Sequence, residues 1–207
     1  MHARLRGNGL YVITDGPNPD LLMAVRQALA GGARLLQYRD KTTDAARRLA
    51  EARAIQAVCA ACKVPMIVND DVALALAVGA DGVHLGEEDG DLAAARAALG
   101  QDAIIGVSCY DSLERARQLA RAGADYLAFG AFFPSPTKPH ARRASPDLLR
   151  QSATLGLPRV AIGGITPENG GSLIDAGAEY LAVISAVFAA PDVQAAAARF
   201  SQLFTKD

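Results

Sequence analysis

Three cysteines are too few for a disulfide framework, and their spacing completes no metal tetrad. Cys59 and Cys62 form a C-x-x-C pair, but no second Cys/His pair accompanies it. The pair falls late in an alanine-rich helical stretch, where small reduced residues on a buried face are expected, and Cys109 reads as an intracellular thiol. Net charge is also scarce. At −1 over 207 residues the chain lacks the basic excess a nucleic-acid binder needs to neutralise phosphates. No apolar run reaches the roughly 18 residues of a membrane span; the longest, 180–191, is about two-thirds of that. The basic start, Met1 to Gly7, is not followed by the apolar segment of a secretion signal. With 51% hydrophobic and 21% charged residues the composition excludes a disordered chain. The expectation is a soluble, cytoplasmic, globular protein.

What is present is a repeat. Gly32-Ala33-Arg34-Leu35-Leu36, Gly79-Ala80-Asp81-Gly82-Val83, Gly123-Ala124-Asp125-Tyr126-Leu127 and Gly177-Ala178-Glu179-Tyr180-Leu181 share one pattern, a Gly-Ala pair, a charged residue and an apolar run. Each glycine ends a helical pattern as a C-cap should, and each run is strand-sized. Between them lie four more such runs, Leu10 to Ile13, Pro65 to Val68, Ala103 to Val107 and Arg159 to Ile162. Their continuous apolarity marks strands buried on both faces. Thr42 or Thr43 is expected to cap a helix with Leu49, Ala52, Ile55, Cys59 and Cys62 on one face. Ser145-Pro146 and Thr166-Pro167 have the form of helix starts. Eight strands alternating with helices predict a single (β/α)₈ TIM barrel of parallel strands over 1–207. An open doubly wound sheet is the runner-up, disfavoured because no G-x-G-x-x-G follows the first strand. At about 26 residues per unit the barrel is minimal.

In such a barrel the residues just after each strand face the active-site mouth. Gln37, Arg39 and Lys41 alternate after the second strand, so amide, guanidinium and ammonium donors share one side. Asn69-Asp70-Asp71 follows the third strand and His84 to Asp89 the fourth. Two carboxylates from neighbouring loops, Asp70 and Asp89, suit Mg²⁺ when a substrate diphosphate supplies further oxygens. Glu87 and Glu88 also read as acids leading a helix. His84 reads equally as a packed strand-end residue or a catalytic one. Ser108 ends the fifth strand. The sixth is followed by a lid-length loop from Phe132 to Ala144, carrying Ser135, Pro136, Thr137 and Lys138. Arg142 and Arg143 beyond it are either anion-binding or solvated. Gly163-Gly164 and Ile184-Ser185 occupy the loops that cradle phosphate in this fold. The mouth thus offers a neutral monophosphate cradle beside a cationic, metal-equipped diphosphate site. No Ser-His-Asp or Cys-His arrangement is evident, and a reaction with a diphosphate leaving group needs none.

These residues resemble the thiamine-phosphate synthase family over nearly the whole chain. The motifs are Tyr11 to Asp15, Gln37 to Lys41, Asn69-Asp70, His84-Leu85-Gly86 with Asp89, Pro134 to Lys138, Ala161 to Ile165 and Ile184-Ser185. The resemblance implies coupling of hydroxymethylpyrimidine diphosphate to a thiazole phosphate, with CO₂ released when the thiazole carries a carboxylate. It implies that Gln37, Arg39, Lys41, Asn69, Ser108 and Lys138 hold the pyrimidine diphosphate. Asp70 and Asp89 would bind Mg²⁺. Ser135, Pro136, Thr137, Gly164, Ile184 and Ser185 would hold the thiazole phosphate. Arg39, Lys41, Ser108 and Lys138 are the catalytic candidates, assisting dissociative loss of diphosphate. Two positions depart from the family pattern: Glu87 stands where Gln is frequent, and Ser135 where Thr is common. The alternatives are a thiazole tautomerase-like barrel, which would not need the full diphosphate and metal set, and a non-catalytic phosphate-binding barrel. Neither nucleic acid nor membrane is expected as a partner.

Overall fold

A computed structural model describes Leu5 and residues 7–88, 90–134 and 142–205. In chain order the elements are β1 (Gly9–Ile13), α1 (Leu21–Ala30), β2 (Leu35–Tyr38), α2 (Ala45–Cys62), β3 (Met66–Asn69), α3 (Val72–Val78), β4 (Gly82–Leu85) and α4 (Leu92–Leu99). They continue as β5 (Ile104–Tyr110), α5 (Leu113–Arg121), β6 (Tyr126–Phe129), α6 (Pro146–Ser152), β7 (Arg159–Ile162), α7 (Gly170–Asp175), β8 (Tyr180–Val183), α8 (Ser185–Phe188) and α9 (Val193–Gln202). Each strand pairs in parallel with the next, and β8 pairs with β1, so the sheet is a closed barrel. All eight expected strands form, and the open-sheet alternative is excluded. No helix among the described residues is long and apolar enough to cross a membrane.

Strand alternation divides the core in two. From β1, Leu10 and Val12 point outward to the helices, whereas Tyr11 and Ile13 point into the barrel. The interior is filled by Tyr11, Leu35, Ile67, Ile104, Tyr126, Val160 and Tyr180, with Leu5 packed among them. The outer layer takes the apolar faces of the helices, which explains why the strands read as continuously apolar.

The Gly-Ala repeat has a physical basis at the opposite end from the mouth. Gly32, Gly79, Gly123 and Gly177 all adopt left-handed backbone, with φ of 97°, 64°, 96° and 104°. In each case the following alanine N–H reaches back five residues: Ala33 to Ala28, Ala80 to Ala75, Ala124 to Leu119 and Ala178 to Leu173. That is the bond pattern of a Schellman helix end, which favours glycine at the left-handed position. The acidic residue that follows then caps a neighbouring strand. Asp81 accepts from Met66 N–H (2.8 Å), Asp125 from Ile105 N–H (2.8 Å) and Glu179 from Arg159 N–H (2.7 Å). The repeat therefore encodes a helix stop and a strand clamp together; Arg34, the basic exception, donates its backbone N–H to Leu10 O and lays its side-chain stem against Gly9.

Several local expectations are corrected. Asp44, not Thr42 or Thr43, caps α2, its carboxylate accepting from Arg47 N–H at 3.0 Å. Cys59 is buried on that helix but Cys62 is exposed, so the five-residue face is shorter than predicted. Burial, with Asp81 nearby, pushes the Cys59 thiol up to about 12, as burial does for Cys109, which leaves both inert. Ser145-Pro146 does start α6, but Thr166-Pro167 opens a turn, and α7 begins only at Gly170. There the Asn169 side chain satisfies Thr166 N–H locally (2.9 Å). Ser108 lies within β5, which runs on to Tyr110 through an irregularity between those residues.

The end of β2 is anchored outward. Asp40, buried, ion-pairs with Arg47 at 2.7 Å and accepts from Thr42 N–H at 2.8 Å; Arg47 also bridges Glu51, which accepts from the Tyr38 hydroxyl. Burial alone would raise the Asp40 carboxyl, but the bonds from Arg47 and Thr42 outweigh it and hold it below the ordinary 3.8. A carboxyl that binds its proton more weakly when folded stabilises the fold above that ordinary value. Its contribution disappears as pH falls through the folded value. Asp40→Asn is therefore expected to lower stability at pH 7 by about 1 kcal/mol, one charge-assisted bond discounted for solvent screening. Urea unfolding should show the deficit shrinking towards pH 3.

Candidate active site

With Tyr38 and Asp40 facing outward, Gln37 and Arg39 line the cavity at the mouth as the alternation predicts, and Lys41 reaches across to Asp70. Thr14, at the end of β1, grips the Arg39 backbone from both sides, accepting from its N–H (2.8 Å) and donating to its carbonyl (3.1 Å). The two cations rest on carboxylates. Arg39 pairs with Asp15, and Lys41 with Asp70 at 2.8 Å. Asp70 follows β3 with φ of 63°, a conformation unusual for a residue with a side chain, and Asn69 donates to its carboxylate at 2.5 Å. Asp71 is turned away, capping α3 and pairing with Arg48.

Below these groups lies a cavity of about 370 Å³ whose walls include Gln37, Arg39, Asn69, His84, Ser108 and Arg142. A continuous line of hydrogen bonds crosses its floor. Gln37 Nε2 donates to Tyr11 Oη (2.7 Å), which meets Tyr126 Oη (2.8 Å). Tyr126 Oη meets His84 Nδ1 (2.9 Å), and His84 Nε2 meets Ser108 Oγ (2.9 Å). Burial raises both phenols well above their ordinary value, so they stay protonated. Gly106 makes room for this line, since a Cβ there would fall 1.8 Å from the Tyr126 ring.

One wall is built by the end of β5. Tyr110 has a left-handed backbone (φ 55°), and its hydroxyl accepts from Glu87 N–H. Arg142 stacks over the Tyr110 ring at 4.9 Å and pairs with Glu87 at 2.9 Å. Of the two arginines left open by sequence, Arg142 thus reaches the cavity, whereas Arg143 turns back to the Phe132 carbonyl. The same pair neutralises the extra charge that Glu87 brings.

A second cavity, of about 300 Å³, adjoins the first and shares Ile162, Gly163, Ala182 and Ile184 with it. Gly164, Ile184 and Ser185 line it. Gly163 and Gly164 have φ of 101° and 63°, and a Cβ on Gly164 would lie 2.3 Å from the Pro134 carbonyl. The loop after β6 lies against them, with Phe132 N–H donating to Ile162 O and Phe133 N–H to Gly163 O. The first turn of α8 starts at Ser185 with no side-chain cap.

Asp89, Ser135, Pro136, Thr137 and Lys138 lie outside the described residues. Among those described, no group of three or more His, Cys, Asp or Glu residues is arranged to hold a metal. Tyr11, Tyr110 and Tyr126, not singled out as site residues from sequence, line or underlie the cavity. For Tyr11 the signal was present, as a polar-tipped aromatic at an inward strand position; the position of Tyr110 depends on the irregularity in β5.

The model of the thiamine monophosphate synthase family matches residues 10–187. This chain belongs to that family. Thiamine-phosphate synthase from Xanthomonas campestris pv. campestris is 57% identical over 199 residues, covering 96% of each chain. The corresponding protein of Azoarcus sp. is 55% identical over 207 residues, covering 99% of this chain and 100% of its own. Among solved structures, thiamine phosphate pyrophosphorylase from Pyrococcus furiosus superposes with a TM-score of 0.86 at 36% identity, covering 95% of each chain. A 3-hexulose-6-phosphate synthase with a TM-score of 0.70 at 18% identity shares the fold alone. Within this thiamine monophosphate synthase chain, Gly164 combines a left-handed backbone with a neighbouring carbonyl where a Cβ would stand. Gly164→Ala should lower stability by about 1–3 kcal/mol through a strained left-handed alanine. Thermal unfolding measures that cost, and a crystal structure of the variant should show Pro134 displaced.

Proposed function

We propose that the chain joins hydroxymethylpyrimidine diphosphate to a thiazole phosphate, yielding thiamine phosphate and diphosphate, with CO₂ when the thiazole carries a carboxylate. The observation that carries this reading is the pair of adjoining cavities, one lined by Arg39 and Arg142, the other by Gly164 and Ser185. Two anionic substrates held side by side need two such sites opening onto each other. The names of the relatives support the same reaction.

Gln37, Asn69 and Ser108 orient the pyrimidine diphosphate, and Arg39, Lys41 and Lys138 take its negative charge. Arg39 and Lys41 exchange their carboxylate partners for phosphate oxygens on binding. Ser135, Pro136, Thr137, Gly164, Ile184 and Ser185 hold the thiazole phosphate. The bond from the pyrimidine methylene carbon to the diphosphate oxygen breaks, the electron pair leaving with diphosphate; the thiazole nitrogen then supplies the pair for the new C–N bond. Stabilising charge on the leaving group and aligning the acceptor are the protein's contributions. The apolar walls Ile162, Ala182 and Ile184 limit water, which would compete with the thiazole.

Asp70 fits Mg²⁺ as a hard oxygen donor aimed at the mouth by its left-handed backbone, and Asp89 is its proposed companion. The ion would supply charge neutralisation on the diphosphate.

The purified protein, given both substrates and Mg²⁺, should form thiamine phosphate and diphosphate in equal amounts. No product, or isomerisation of the thiazole without consumption of the pyrimidine, would overturn the reading. Asp89→Ala, with its fold confirmed by circular dichroism, should abolish Mg²⁺-dependent coupling. Lys138→Ala should reduce kcat by about 100-fold, the scale of one lost charge-stabilising group, with little change in KM for the thiazole.

A further inference from the structure

The line of hydrogen bonds on the cavity floor begins and ends on groups proposed to touch the pyrimidine substrate, Gln37 and Ser108. Between them stand Tyr11, Tyr126 and His84, to which the coupling reaction gives no role. All three are buried, at 1%, 0% and 9% exposure. The rings are packed as well as bonded: Tyr11 meets Tyr126 edge-on at 6.0 Å, and His84 stacks on Tyr126 at 5.6 Å.

A proton count gives the line a direction. Each phenol remains protonated and has one hydrogen to donate. Within these five groups, two arrangements with a singly protonated His84 satisfy every hydrogen. A doubly protonated ring would donate to both Tyr126 and Ser108 and, like the second of these arrangements, need the Gln37 amide oxygen at Tyr11. In the first, Gln37 donates to Tyr11, Tyr11 to Tyr126 and Tyr126 to His84 Nδ1. His84 then carries its proton on Nε2 and donates it to Ser108 Oγ, leaving the serine hydrogen for the cavity. In the second, every bond is reversed: the serine hydrogen is committed to His84, the histidine proton sits on Nδ1, and the line ends on the Gln37 amide oxygen. A mixed arrangement leaves a buried phenol hydrogen without an acceptor, which burial penalises.

Two features select the first. The Gln37 amide nitrogen faces Tyr11 Oη at 2.7 Å. A diphosphate can only accept hydrogen bonds, so a serine presenting lone pairs alone would repel it. We infer that Tyr11, Tyr126 and His84 are positioning residues that place the His84 ring proton on Nε2 and make Ser108 a dedicated hydrogen-bond donor to the substrate. The kinetic part rests on the coupling reaction proposed above; the tautomer does not.

Nitrogen-15 NMR of the ligand-free protein, labelled in histidine, tests the direction. The His84 signals are identified by their loss in His84→Gln. The nitrogen coupled to both carbon-bound ring protons, Nε2, should resonate as protonated and Nδ1 as unprotonated. Protonation at Nδ1, alone or with Nε2, would overturn the inference whether or not the chain couples the two substrates. The relay is tested by a double-mutant cycle. Tyr126→Phe should lower kcat/KM for the pyrimidine diphosphate about tenfold, roughly the worth of one hydrogen bond, and leave KM for the thiazole phosphate unchanged. In a Ser108→Ala background the same change should cost less than about twofold. Equal losses in the two backgrounds would show that Tyr126 does not act through Ser108. Failure of the wild-type protein to couple the substrates counts against the proposed reaction, and the NMR measurement still decides the tautomer.

Discussion

Closing eight parallel strands on themselves leaves an interior only wide enough for side chains, and every second residue must point into it. The rest of this structure follows from that constraint. An inward residue low in the barrel fills space; one at the upper edge forms the floor or wall of the mouth. Tyr11 and Tyr126 do both, with rings in the packed interior and hydroxyls at the level where substrate is expected. Their buried polar tips bond each other and carry the bonding outward to Gln37 and to His84 and Ser108.

The two ends of the barrel divide stability from chemistry. At the bottom, glycine turns stop the helices and Asp81, Asp125 and Glu179 clamp the starts of adjacent strands. At the top, the non-glycine left-handed residues Asp70 and Tyr110 sit beside cations held on carboxylates. Backbone strain of this kind persists where surrounding structure fixes it, and here it aims groups into the mouth. Carboxylate partners hold Arg39 and Lys41 in place, and in the proposed reaction phosphate oxygens replace them.

The strands, their order and the presence of Gln37, Arg39, Asn69 and Ser108 around the cavity were legible in the sequence, because hydrophobic runs, Gly-Ala turns and strand-end residues are local signals. The repeat was visible before its cause was; that its acidic member caps a strand emerges only once neighbours are paired. Other features depended on contacts distant in sequence. The position of Ser108 within β5 depends on the irregularity before Tyr110, and Arg142 finds Glu87 across 55 residues. Asp44 displaced the threonines as a cap because an aspartate beside them competes for the same N–H. Tyr126 looked like ordinary core because nothing local shows that Gly106 on the next strand clears space for its ring.

Two anion sites in one mouth are the core of the proposed function, in which the departure of one anion exposes carbon to the other substrate. A crystal structure of the protein with inorganic diphosphate, Mg²⁺ and thiazole phosphate tests this most directly. The account predicts both ligands bound together, diphosphate at Arg39 and Lys41 and the monophosphate at Gly164 and Ser185. Mutually exclusive binding of the two at one site would contradict it.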